Sequence, residues 1–127
     1  YDDTKDNNID TIFSFLLLIL DNKIIDIRNI LLGIENIIPI TIHTFNYNVG
    51  AYSNRHRDTN SADTFVIILE DNFEGGVFYL NEEPTQFKKR GDVARYHGDT
   101  DFHSVTPITK GTRKVLVVWY PKKEKLM

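Results

Sequence analysis

His56-Arg57-Asp58 sets an imidazole and a carboxylate two residues apart. On an extended strand, residues i and i+2 share a face, so both side chains can reach one ion. A third ligand must come from elsewhere in the fold. His103, in the run Asp101-Phe102-His103-Ser104-Val105, is the candidate. Two imidazoles and one carboxylate on one face of an octahedral ion leave three positions open, the facial arrangement of non-haem iron(II) sites. The chain has no cysteine, which excludes disulfides, thiolate metal sites and cysteine nucleophiles together. Any ion must therefore be held by nitrogen and oxygen. His43 and His97 keep no comparable company and are not expected to be ligands.

Arg113 follows His103 through Thr106-Pro107-Ile108-Thr109-Lys110-Gly111-Thr112, which reads as strand, turn and the start of another strand. Antiparallel neighbours joined in this way would bring the arginine back beside the ion. A guanidinium is a natural bidentate partner for a dicarboxylate whose other end chelates a metal. Alone, an arginine after a turn is an ordinary surface charge. In order behind H-x-D and His103, it reads as a binding residue.

The elements that must position these groups fall into two zones. Ile24, Ile25, Ile27, Leu31, Leu32 and Ile34 recur near a 3.6-residue period, which predicts an amphipathic helix with Gly33 near its end. The β-branched content leaves a strand there as an alternative, and Pro39 closes the segment. From Ile40 the period becomes two: Ile40, Ile42, Thr44 and Asn46 alternate with Thr41, His43, Phe45 and Tyr47. Further strands are expected at 64–70, 76–80, 84–87, 92–97, 102–108 and 114–120, separated by turn chemistry such as Glu74-Gly75, Gly98-Asp99 and Lys110-Gly111. Short strands at this spacing predict a β-sandwich or barrel.

The bulk properties bound the function. With 127 residues, 41% hydrophobic and 26% charged, the chain suits one globular domain. A net charge of -3 gives no reason to expect general nucleic-acid binding, and Lys88-Lys89-Arg90 reads as a solvated turn. The apolar run 12–20 is too short for a bilayer, which needs about 20 residues. The residues before it are acidic, the wrong sign for a signal peptide. No Asn-X-Ser/Thr acceptor occurs, and a cytoplasmic location is the expectation.

From about Ile38 to Tyr120 the sequence resembles the 2-oxoglutarate and iron(II)-dependent dioxygenases, in particular their prolyl-4-hydroxylase-like branch. Residues 47–58, Tyr47 to Asp58, look like the strand leading into that family's H-x-D motif. Phe73-Glu74-Gly75-Gly76-Val77-Phe78-Tyr79-Leu80 is similar to its F-x-G-G turn and strand, and Gly91-Asp92 through His97 resembles its G-D strand. His103 through Arg113 looks like its distal-histidine motif. Four motifs in order are far more specific than any one of them.

The resemblance implies a mainly β fold, a double-stranded β-helix (jelly-roll) core over 38–120, with a helical flank over 1–37. It implies Fe(II) at His56, Asp58 and His103, and 2-oxoglutarate at Arg113 with a hydroxyl contact from Tyr47. Tyr52 and Trp119 are expected on the substrate side, with core packing as the alternative for Trp119. The implied reaction is hydroxylation of an unactivated C–H bond with O2, releasing succinate and CO2, with ascorbate as a candidate stimulant. The substrate expectation is a protein prolyl or lysyl side chain. The alternatives are a free amino acid or other small metabolite, a nucleic-acid demethylase, and a non-catalytic jelly-roll binding module. Only Thr59 to Asp63 separate H-x-D from the next strand, which predicts a relatively open mouth.

Overall fold

The run from Phe65 to Leu69 is uninterrupted in Phe, Val, Ile and Leu, a pattern that suits a strand covered on both faces. It lies in the strand Ser61–Glu70, the longest among the described residues. The computed structural model describes Gly33 and residues 40–59 and 61–121. In chain order the strands are β1 (Thr41–Tyr47), β2 (Ser53–His56), β3 (Ser61–Glu70), β4 (Phe73–Gly75), β5 (Phe78–Leu80), β6 (Glu83–Pro84), β7 (Val93–His97), β8 (His103–Val105), β9 (Ile108–Gly111) and β10 (Arg113–Pro121).

They form a larger sheet, β1-β10-β3-β7, a smaller sheet, β2-β8-β5-β6, and a β4-β9 pair. Every pairing is antiparallel. The connections cross repeatedly from one sheet to the other, and the fold is a jelly roll. The core lies between the two sheets: Val66, Ile68, Tyr96, Val115 and Val117 from the larger meet Phe78 and Val105 from the smaller. The opposite face of the larger sheet is buried too, through Ile42, Phe65, Ile67, Leu116 and Val118. Register explains the two rows. Val115↔Ile68 and Val117↔Val66 point inwards, while Leu116↔Ile67 and Val118↔Phe65 point outwards.

Several boundaries differ from the sequence expectation. Residues 102–108 form two strands, broken at Thr106-Pro107, because proline cannot donate to a ladder. Glu74-Gly75 and Lys110-Gly111, expected as turns, instead pair with each other's strands as β4 and β9. Gly75 sits at φ 76°, and a Cβ there would collide with the Pro107 carbonyl, so glycine is required for this close approach. The expected strand at 84–87 shrinks to β6. Lys88 and Lys89 cap a turn by donating backbone N–H groups to Asp92. Gly33 is helical; the rest of the expected helical flank lies outside the described residues. Among the described residues no helix is long and apolar enough to cross a membrane.

Candidate metal centre

His56 closes β2 and His103 opens β8, and these two are direct partners across the smaller sheet. Their rings stand 4.2 Å apart, centroid to centroid. Asp58 lies just beyond β2, where its N–H donates to the Gly98 carbonyl at 2.6 Å and its carbonyl accepts from Ser61 N–H. The carboxylate faces both rings: Oδ1 is 3.4 Å from His56 Nε2 and Oδ2 is 3.3 Å from His103 Nε2. The three ligand atoms lie within 4.8 Å of one another. Cis ligands about 2.1 Å from an octahedral ion stand about 3 Å apart, so a carboxylate this close to both imidazoles can share an ion with them through one of its oxygens.

Both imidazoles are oriented through their other nitrogen, which the sequence could not reveal. His56 Nδ1 lies 2.6 Å from the Asn54 carbonyl and His103 Nδ1 lies 3.0 Å from the Asp101 carbonyl. A carbonyl oxygen only accepts, so each Nδ1 carries a proton and donates it. That leaves Nε2 as the nitrogen facing Asp58 on both rings, the one that would offer its lone pair to a metal once deprotonated. The Tyr96 ring packs on His103 at 4.7 Å. Burial would raise the Asp58 carboxyl, but His103, the Trp119 indole and His56 together hold it below the usual range.

Across the sandwich, Arg113 opens β10 opposite Tyr47 of β1. Arg113 reaches the site by a route other than the antiparallel neighbour of His103 expected from the sequence. Arg113 is not on a strand neighbouring His103; it approaches from the facing sheet, and the two meet across a cavity of about 300 Å³. Its guanidinium carbon sits 5.0 Å over the Tyr47 ring and 5.9 Å over Phe87. Only 2% of Arg113 is exposed, and its Nε is buried with no hydrogen-bond partner. No salt bridge among the described residues involves it. Burial pushes the guanidinium below its ordinary value, against Tyr47 and Tyr96, which hold it up.

The cavity brings together His56, Asp58, His103, Arg113, Tyr47 and Trp119. Tyr52 is exposed and lies outside its lining. His43 stacks on Phe45 and meets Trp119 edge-on, and His97 approaches Asp63, so neither joins the triad. Two contributors, Tyr96 and Gly98, escaped the sequence reading, and Trp119, expected on the substrate side or in the core, also contacts Asp58. Tyr96 looked like any strand aromatic. Trp119 donates its indole N–H to Asp58 Oδ2 at 3.2 Å. Gly98 packs so closely that a Cβ would lie 3.2 Å from Asp58 Cβ and 2.6 Å from Thr64 Oγ1. The G-D dipeptide at Gly98-Asp99 marks a turn, but nothing in the sequence says that the turn touches Asp58.

No family model matches the chain, and no curated protein matches it. Solved structures do share its fold. A prolyl-4-hydroxylase from Pseudomonas putida aligns with a TM-score of 0.57 at 18% identity, over 66% of this chain and 52% of that one. An oxidoreductase of the 2OG-Fe(II) oxygenase family from Burkholderia pseudomallei gives 0.53 at 20%, over 65% and 43%. A cupin-superfamily sugar phosphate isomerase from Silicibacter pomeroyi gives 0.51 at 22%, over 65% and 51%. The chain thus spans about half the length of the two oxygenase structures. At these identities the likeness is one of fold, common to oxygenases and cupins.

Proposed function

We propose that this chain is the catalytic core of a 2-oxoglutarate-dependent iron(II) dioxygenase. The observation that carries the reading is the buried guanidinium of Arg113, its Nε unpaired and no carboxylate beside it among the described residues, in the same cavity as the His56–Asp58–His103 cluster. A buried cation without a counter-charge is costly, and an anionic ligand relieves it. The charge sum supports a dicarboxylate: a divalent ion, Arg113 and Asp58 together leave two positive charges, which a dianion cancels. The donor set of two neutral imidazoles and one carboxylate suits Fe(II) and leaves positions for further ligands.

When bound, iron and 2-oxoglutarate supply the oxidation, in which O2 is consumed, succinate and CO2 are released and an unactivated C–H bond is hydroxylated. The chain's own residues do the rest. His56 and His103, each held through Nδ1, would present Nε2 to the ion. Arg113, backed by the Tyr47 ring, receives the distal carboxylate. Tyr96 stays a neutral phenol, because burial and then the Asp58 charge raise its pKa. Phe78, Val66, Val115 and Val117 exclude bulk water from the cavity wall. The substrate we assign is a prolyl or lysyl side chain of a protein, supported by the motif order; a free amino acid or small metabolite is the alternative.

The test is anaerobic titration with Fe(II) and 2-oxoglutarate, followed by O2. We expect the charge-transfer absorption of the chelate and then succinate. Both should be lost in His103→Ala. Folded wild-type protein that binds neither ligand would replace the enzyme reading with that of a jelly-roll binding module. Prolyl and lysyl peptides, compared with free amino acids, then separate the substrate classes by stimulated succinate release.

A further inference from the structure

Asp58 is the one ligand of the cluster that has two equivalent donor atoms, and the structure makes them unequal. Oδ2 accepts from Trp119 Nε1 at 3.2 Å and faces His103 at 3.3 Å, whereas Oδ1 has only His56 Nε2, at 3.4 Å. Trp119 is itself fixed. It sits on β10 between Thr41 and Thr64 in the ladder, and its ring packs edge-on against His43 at 5.4 Å and Phe45 at 6.1 Å. Its backbone belongs to the larger sheet, while Asp58 lies on the connection that leaves the smaller one. The indole N–H is therefore a strut across the sandwich that sets the rotation of a carboxylate held by little else on that side.

We propose that Trp119 is a positioning residue for the metal centre: its indole N–H occupies Asp58 Oδ2 and leaves Oδ1 as the single oxygen offered to the ion. This rests on the metal reading above. A carboxylate fixed this way gives one ligand atom and keeps the remaining positions free, whereas one free to rotate can close on the ion with both oxygens. Partners of this kind change metal affinity by about 10- to 100-fold when removed.

Trp119 is the sole tryptophan, so its indole gives one resonance that needs no assignment, and Co(II) can stand in for iron without turnover. In metal-free wild type, the 15N-labelled indole N–H signal should move upfield when Asp58 is changed to Ala. In Trp119→Phe, which keeps a ring but removes the donor, Co(II) should bind about 10- to 100-fold more weakly and with an altered visible spectrum, while circular dichroism stays that of wild type. Wild-type Co(II) affinity and spectrum in Trp119→Phe would overturn the role of Trp119 and leave the metal site standing. Failure of the wild-type protein to bind Co(II) would overturn both. Should Trp119→Phe not fold, the indole signal decides: no movement in Asp58→Ala refutes the strut.

Discussion

At the scale of single residues, Arg113 sets function against stability. A guanidinium that is 2% exposed with an unsatisfied Nε is a burden to the ligand-free fold. Methionine of similar length removes the charge and keeps most of the volume. Arg113→Met should therefore be more stable than wild type without ligands, by about 1–4 kcal/mol in urea melts. The same variant should bind 2-oxoglutarate at least about 30-fold more weakly, since removing one partner of a buried charge pair costs about 2 kcal/mol or more. Equal loss of stability and binding would mean that Arg113 is structural. Asp63 is a second such residue, 1% exposed with one oxygen unpaired. Burial raises its pKa, Arg95 and His97 lower it, Asp99 raises it again, and the net shift is upward. An acid whose pKa is higher in the fold holds extra protons there, so stability falls as pH rises through the window above 3.8. Asp63→Asn should accordingly gain stability over wild type at pH 7, and the gain should shrink as pH falls towards 3.8. Parallel pH profiles for the two proteins would contradict this.

At the scale of elements, the site depends on short strands and the loops between them. The turn after β7 carries Gly98, whose carbonyl holds the Asp58 N–H and whose bare Cα lets Asp58 and Thr64 close in. Gly98→Ala should cost about 1–3 kcal/mol from overpacking and weaken metal binding by about 10-fold or more through displaced Asp58. Isothermal titration with Co(II) beside thermal melts separates the two effects; unchanged affinity would sink the coupling. Legibility divides along the same line. The convergence of His56, Asp58, His103 and Arg113 on one cavity and the strands β1, β3, β7 and β10 were readable, because residue types able to hold a metal are few and side-chain period is local. The β4-β9 pairing was not, since Gly75 and Gly111 carry the local signature of turns and only the distant partner makes them strands. The route of Arg113 was misread for the same reason: sequence proximity to His103 suggests a hairpin, whereas Pro107 ends β8 and the chain crosses to the other sheet. The Trp119–Asp58 bond spans 61 positions and had no local trace.

At the scale of the molecule, the ligands proposed here would bridge layers. The smaller sheet supplies His56 and His103, the crossing segment supplies Asp58, and the larger sheet supplies Arg113, Tyr47, Tyr96 and Trp119. A metal ion engages mainly the first two, whereas a dicarboxylate reaching from that ion to Arg113 ties the sheets together. Ligand that binds only the folded state adds about 2.7 kcal/mol at a hundredfold excess over Kd. In a domain of this size each kcal/mol moves Tm by about 4 °C or more. Co(II) should thus raise Tm by itself, and 2-oxoglutarate should add a further rise of roughly 10 °C only when the metal is present. Arg113→Met should keep the first rise and lose the second; His103→Ala should lose both. The order matters, because a guanidinium alone gives the cosubstrate one anchor, and the second anchor is the ion. An equal rise with 2-oxoglutarate in metal-free protein would show that Arg113 suffices as an anion site, and the cavity would then be one that binds carboxylates without iron.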